Sequence, residues 1–284
     1  MTIVKHYREN AELRASFNAL AEETFGLNFE NWYTLGYWGD NYAPYSVLED
    51  GKIVANVSVN RTDMVLEGQR KRLYQLGTVM THPDYRNRGY IRAIMAEVEK
   101  DIADADGVYL FANDGVVEFY PKFGFRQDRE FLYSREVVQE GECTAKQVPM
   151  DVPENRDRLA AAMAESTFRS GSAMVDNPGL IFFYVAQFMQ ENVYTVGNTW
   201  VIAEEEEGNL VIHNVFGSEE TSLDAVIAAF GPEVKTVTLG FTPADRTGWT
   251  CEELKEEDTT FFTRGAAFDD FAERKLRIPS LSHA

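Results

Sequence analysis

The stretch Leu76-Gly77-Thr78-Val79-Met80-Thr81-His82-Pro83-Asp84-Tyr85-Arg86-Asn87-Arg88-Gly89-Tyr90-Ile91-Arg92 decides how the fold is read. Its first residues are apolar and β-prone, His82 to Tyr85 reads as a turn, and Arg86 to Arg92 leads into an amphipathic helix. A strand that stops at a basic, glycine-containing turn and restarts as a helix leaves the first N–H groups of that helix without partners. Those donors, the positive end of the helix dipole and the flanking arginines form a site for a pyrophosphate. Glycine at position 89 lets a phosphate approach the backbone more closely than a Cβ would allow. Basic turns with one glycine also start ordinary helices, so the stretch has to be read with its neighbours.

Moving outward, the apolar residues Ile91, Ile94, Met95, Val98 and Ile102 lie on one face of the following helix, which Gly107 ends. Val108 to Ala112 is then a short buried strand, and a helix between two strands makes them parallel with a right-handed crossover. Upstream, Asn10 caps a helix that Gly26 ends. Tyr45 to Glu49 and Ile53 to Arg61 form a hairpin around Asp50-Gly51. Arg72 to Thr81 is the strand that enters the decisive turn, with Gly77 where a bulge forms easily. Downstream, Gly115 to Tyr120 reads as a short helix stopped by Pro121, and Phe125 to Val137 as closing strands. The ring-rich segment Phe29 to Tyr45 is either core packing or the wall of a cleft.

Glu140 to Pro149 reads as a linker between two domains, residues 1–142 and 150–284. In the second, Pro153 to Phe168 and Pro178 to Gln190 are helices with proline at the first turn. Trp200 to Glu204 and Asn209 to Phe216 form a hairpin, Ser222 to Phe230 a helix, and Val234 to Phe241 and Thr259 to Arg264 strands. Hairpin, helix, strand repeats the order of the first half. No basic glycine turn precedes this helix; Gly217-Ser218-Glu219-Glu220 would repel a pyrophosphate.

The 284 residues carry a net charge of −19, and 23 acidic against 10 basic residues from Asp151 onward account for −13 of it. Such a field disfavours nucleic acid and favours cationic ligands such as amines. No apolar run reaches the ~18 residues of a membrane span, and the N-terminus lacks a signal-peptide layout. Cys143 and Cys251 alone indicate neither a disulfide framework nor a zinc site, and read as small buried hydrophobes. The expectation is a soluble cytoplasmic protein with no nucleic-acid or membrane partner and no metal; a homo-oligomer stays open.

Two motifs carry a family resemblance. Arg86, Gly89 and Ile91 fall on the marked positions of the Arg/Gln-x-x-Gly-x-Gly/Ala acyl-CoA motif of the GNAT superfamily of N-acetyltransferases. The bulky Ile91 departs from the usual small residue and is similar to the variant in two-domain GNATs related to the enhanced intracellular survival proteins. Asn113-Asp114-Gly115 followed by Phe119-Tyr120-Pro121-Lys122-Phe123-Gly124-Phe125 resembles the segment whose tyrosine lies beside the coenzyme sulfur. The resemblance covers residues 5 to 135; beyond them it is one of architecture only.

It implies a GNAT α/β fold, a mixed sheet with flanking helices, followed by a degenerate GNAT-like domain that binds no coenzyme. It further implies acetyl transfer from acetyl-CoA to a primary amine, a small cationic amine or lysine-like group. Val79, Met80 and Thr81 would pair their backbone with the pantetheine arm, with an N–H near Val79 for the oxyanion. Asn87, Arg88, Gly89, Tyr90, Ile91 and Arg92 would hold the pyrophosphate, while Asn113, Gly115 and Val116 would touch the arm. Tyr120, a phenol of ordinary pKa ≈ 10, would protonate the leaving thiolate. The terminal carboxylate of Ala284 would accept the amine's proton, its pKa raised by desolvation. His82 reads as turn chemistry, and His6 and His213 as core or surface. The alternative from another class is a non-catalytic acyl-CoA sensor.

Overall fold

The side chain of Asn10 accepts the amides of Glu12 and Leu13 and starts the helix Ala11–Phe25, which Gly26 ends at φ 68°. The hairpin of Tyr42–Glu49 and Lys52–Arg61 turns at Asp50-Gly51, both at positive φ. Leu73–Thr81 lies antiparallel to Lys52–Arg61, and Gly107–Ala112 parallel to Leu73–Thr81, joined by the helix Tyr90–Asp101. These elements belong to a computed structural model that describes residues 1–283.

The first sheet runs Thr2–Lys5, Tyr42–Glu49, Lys52–Arg61, Leu73–Thr81, Gly107–Ala112, Thr260–Arg264, Arg126–Gln127. The second runs Lys146–Gln147, Val193–Val196, Thr199–Glu206, Asn209–Phe216, Thr236–Leu239, Phe131–Glu136, Thr250–Glu253. Each is antiparallel except at one central pair, Leu73–Thr81 with Gly107–Ala112 and Asn209–Phe216 with Thr236–Leu239. This is a GNAT-type mixed sheet built twice, the fold class expected.

The closing strands depart from expectation, because the halves exchange them. Phe131–Glu136 leaves the first sheet and pairs with Thr236–Leu239 and Thr250–Glu253, carrying Tyr133 into the second core. Thr260–Arg264 returns from the second half and pairs with Gly107–Ala112 and Arg126–Gln127, carrying Phe262 into the first core. The strand pairing therefore crosses the expected division at residues 142–150 in both directions. Apolar alternation marks a strand but does not say which edge it completes.

Three local readings also change, and one left open is decided. Gly115 to Tyr120 is not a short helix; two 3-10 turns, Asp114–Val116 and Tyr120–Phe123, stand there. The linker contains the edge strand Lys146–Gln147. Cys143 is exposed in that linker and so no buried hydrophobe, whereas Cys251 is half-buried against the second core. The rings of residues 29–45 are core: Phe29, Trp32, Trp38 and Tyr42 are buried, and Phe183 of the second half stacks on Phe29 with centroids 5.4 Å apart. Trp32 Nε1 donates to the carbonyl of Gly179 at 2.8 Å, so helix Pro178–Val185 seals this face.

A second seam was not anticipated. Met64–Leu66 and Gln69–Lys71 form a hairpin whose third strand is Ser172–Met174. No helix among the described residues is long and apolar enough to cross a membrane.

Candidate active site

The parallel pair opens into a fork. Leu73, Tyr74 and Gln75 pair with Gly107, Val108 and Tyr109, and pairing then stops while both strands continue. Leu73–Thr81 carries a one-residue bulge, with Thr78 and Val79 facing Val57 alone between the pairs Ser58–Gly77 and Asn56–Met80. The amide of His82 donates to Val54 O at 2.9 Å. Strand alternation therefore turns the amides of Thr81 and Val79 to the opposite edge, where the partner strand has diverged. An extended acyl chain can lie there as an added strand.

The fork leads to the helix start. Pro83–Tyr85 is a 3-10 turn with His82 Nδ1 accepting the amide of Asp84 at 3.3 Å, which gives His82 the turn role expected. Asn87 and Gly89 follow at φ 63° and 78°, and Gly89 caps helix Tyr90–Asp101. A Cβ on Gly89 would meet nothing within 4 Å, so the space before the helix is open. Among the described residues the amides of residues 87–92 donate to no acceptor, and the first helical bond is Ala93 N to Gly89 O. Arg86, Arg88 and Arg92 are exposed around this start. Arg88 is steadied by the carbonyl of Asp84 at 2.8 Å and by the ring of Tyr85. Tyr90 turns its buried side chain away, its hydroxyl donating to Glu49, and offers only its amide. Ile91 is half-buried against the core, which explains why a bulky residue is tolerated there.

Asn113 stands past the end of Gly107–Ala112, Gly115 and Val116 in the exposed turn after it. The second half reaches this point. Asp258 accepts from Asn113 Nδ2 at 2.8 Å and from the amide of Asp114 at 2.7 Å, and Thr260 Oγ1 donates to Asp114 at 3.0 Å. Asp258 carries no sequence signal; an acidic residue before a strand is commonplace.

Tyr120 is buried between Phe119, Phe125 and Phe262, the last on the exchanged strand. Burial pushes its pKa up to about 12. Its hydroxyl bonds to no described residue. Ala284 lies outside the described residues. Just before it, the carbonyl of Ser282 accepts from the hydroxyl of Tyr109 at 2.9 Å and His283 stacks on Phe111 at 3.8 Å. Burial holds the His283 imidazole neutral, its pKa down to about 3.

Phe111 and Asp114 also line a cavity of about 260 Å³ in which Asp114, Asp128, Glu130, Glu253 and Glu256 outnumber Arg129 and Lys255. Burial pushes Glu130 up to about 8 even though Arg277 and the amide of Ile278 pull it down. Sequence gives no warning of this group, because its burial comes from the crossing of the exchanged chains.

The second sheet's own fork is filled. Beyond Ile212 and Leu239, Ser280 of the tail donates its amide to Gly240 O at 2.7 Å and its hydroxyl lies 2.9 Å from His213 Nδ1. The helix there spans only Leu223–Ala228.

Residues 10–127 match the family described as Acetyltransferase (GNAT) domain. The family match marks residues 10–127 as the domain of an acetyl-CoA-dependent acyltransferase. A conserved protein of unknown function from Enterococcus faecalis V583, with a suggested N-acyltransferase activity, superposes at TM-score 0.62 and 16% identity, over 96% of this chain and 74% of that one. Eis1 from Mycobacterium abscessus gives 0.57 and 15%, over 97% and 76%. A GCN5-related N-acetyltransferase from Kribbella flavida gives 0.56 and 14%, over 94% and 72%. At such identities the likeness is one of fold. Comparison with curated proteins finds no match. Residues 10–127 are thus similar to a GNAT domain, and over its whole length the chain is similar in fold to Eis1.

Proposed function

We propose that this chain moves an acetyl group from acetyl-CoA to a primary amine, on a small cationic molecule or a lysine-like group, by direct attack in a ternary complex. The observation that carries this reading is the continuity of the fork with the helix start. Outward amides at Val79 and Thr81 run towards the unpartnered amides of residues 87–92.

The pyrophosphate sits against those amides, with Arg86, Arg88 and Arg92 adding charge. The pantetheine arm lies along Val79, Met80 and Thr81, and Asn113, Gly115 and Val116 touch it from the other strand. The amide of Val79 stabilises the oxyanion as the neutral amine attacks the thioester carbonyl. The C–S bond then breaks, and Tyr120, protonated at neutral pH, donates to the departing thiolate. The proton shed by the nitrogen passes to the terminal carboxylate of Ala284. The acidic cavity beside Phe111 and Asp114 suits a cationic acceptor, in line with the chain's charge of −19.

The test is thiol release from acetyl-CoA over a panel of amines, run beside calorimetric binding. Turnover with an amine supports the proposal. Binding without release refutes it and favours a coenzyme sensor.

A further inference from the structure

Thr78 is a β-branched residue at φ 45°, in the left-handed region such residues rarely adopt. It lies within the bulge at the mouth of the fork. Conformations of this kind persist only where the surroundings over-determine them.

The surroundings are polar and buried. Asn56 Nδ2 donates to the carbonyl of Thr78 at 3.0 Å and to Ser58 Oγ at 2.9 Å, while its Oδ1 accepts from Ser46 Oγ at 2.7 Å. Tyr42 donates to Ser58 Oγ at 2.8 Å, so the Thr78 hydroxyl, 2.7 Å from Tyr42 Oη, is the donor of that pair. Tyr7 completes the chain on Ser46 at 2.7 Å. All these residues are buried, Asn56 without any exposed surface.

So many polar groups inside a packed layer are costly unless each is satisfied. They converge on one peptide unit. The Thr78 carbonyl and the Val79 N–H belong to the same planar trans peptide and point in opposite directions. By holding that oxygen on the Lys52–Arg61 side, Asn56 turns the N–H into the fork, in agreement with the strand alternation set by His82.

We infer that Asn56 and Tyr42 are positioning residues that lock the Thr78–Val79 peptide with its N–H aimed at the thioester carbonyl. Asn56 fixes and polarises the shared peptide, and Tyr42 ties down the Thr78 side chain. Neither touches the reacting atoms. This deepens the acetyl-transfer reading and rests on it.

The experiment measures thiol release with 1,5-diaminopentane and with Nα-acetyl-lysine amide, beside calorimetric acetyl-CoA binding, in wild type, Tyr42→Phe, Thr78→Gly and their double. Loss of one oxyanion donor costs ~10²–10³ in kcat, so loosening it should cost about tenfold. Tyr42→Phe is expected to lower kcat by that factor and leave the acetyl-CoA Kd unchanged. In the Thr78→Gly background it should cost nothing more, since no hydroxyl remains to be tied and glycine adopts φ > 0 freely. A merely structural tyrosine would lower Tm in both backgrounds and spare kcat. Unchanged kcat in Tyr42→Phe, or equal losses in the two backgrounds, overturns the inference.

Asn56→Asp replaces the donor by an acceptor facing Thr78 O, and a larger kcat loss is expected; where it fails to fold, the Tyr42 pair decides. The ¹⁵N shift of the Val79 amide is read in the same proteins. Should wild type bind acetyl-CoA yet release no thiol, the acetyl-transfer reading fails. The lock then stands if Tyr42→Phe moves that shift and falls if it does not.

Discussion

Asp258 of the second half accepts a hydrogen bond from the side chain of Asn113 at 2.8 Å, at the point where the first sheet's parallel strands have separated. A residue of the coenzyme motif is thus oriented by a loop more than 140 positions away, which also fixes the amide of Asp114. Two hydrogen bonds of this kind contribute about 0.5–1.5 kcal/mol each. Asp258→Ala should weaken acetyl-CoA binding by about three- to tenfold through loosening of the turn at Gly115 and Val116. Calorimetry decides, and tighter binding would mean that Asp258 competes with the coenzyme for Asn113.

Arg88→Glu and Gly89→Asp each place a carboxylate against the pyrophosphate, and Gly89→Asp also strains a backbone at φ 78°. Either should raise the acetyl-CoA Kd at least about tenfold, the free-energy cost of losing one favourable helix-start interaction and gaining a repulsion. A folded variant with wild-type affinity would remove the helix start from the site.

Tyr120→Phe should lower kcat by ~10²–10⁴ with little change in coenzyme affinity. Its hydroxyl bonds to no described residue, so its removal leaves no orphaned partner and Tm should barely move. Parallel losses of binding, Tm and rate would make it a packing residue only.

Glu130 carries a pKa pushed up to about 8 by burial, against an unfolded value near 4.5. Between those values the folded chain holds a proton that the unfolded chain has lost. Stability from this group is therefore full below about 4.5 and declines as pH rises towards about 8. Glu130→Gln should flatten that decline in Tm measured from pH 5 to pH 8.5. A wild-type slope that survives the substitution would assign it to another group.

Because each sheet contains a strand of the other half, the chain should unfold in a single transition by both near-ultraviolet and far-ultraviolet signals. Residues 1–142 expressed alone lack Thr260–Arg264 and carry Phe131–Glu136 with no sheet to join. The fragment should be poorly folded, and a cooperative native-like transition from it would contradict the exchange. Phe262→Ala, which empties a fully buried site in the first core, should cost the whole chain about 3–5 kcal/mol.

Short-range chemistry was legible in the sequence. Asn10 and Gly26 bound the first helix, Asp50-Gly51 turns the hairpin, and Arg86 to Arg92 starts the crossover helix, because each depends on φ preferences and donors within a few residues. The fork followed from the order strand, helix, strand. Tertiary structure alone decided the rest. Phe131–Glu136 and Thr260–Arg264 are both apolar strands, and only the shape of the open slots assigns each to the opposite sheet. Asp258 meets Asn113, and Asn56 meets Thr78, through strand pairing, which leaves no local pattern. Glu130 and Tyr120 become special by burial, and burial is a property of everything packed around a residue rather than of its neighbours in the chain.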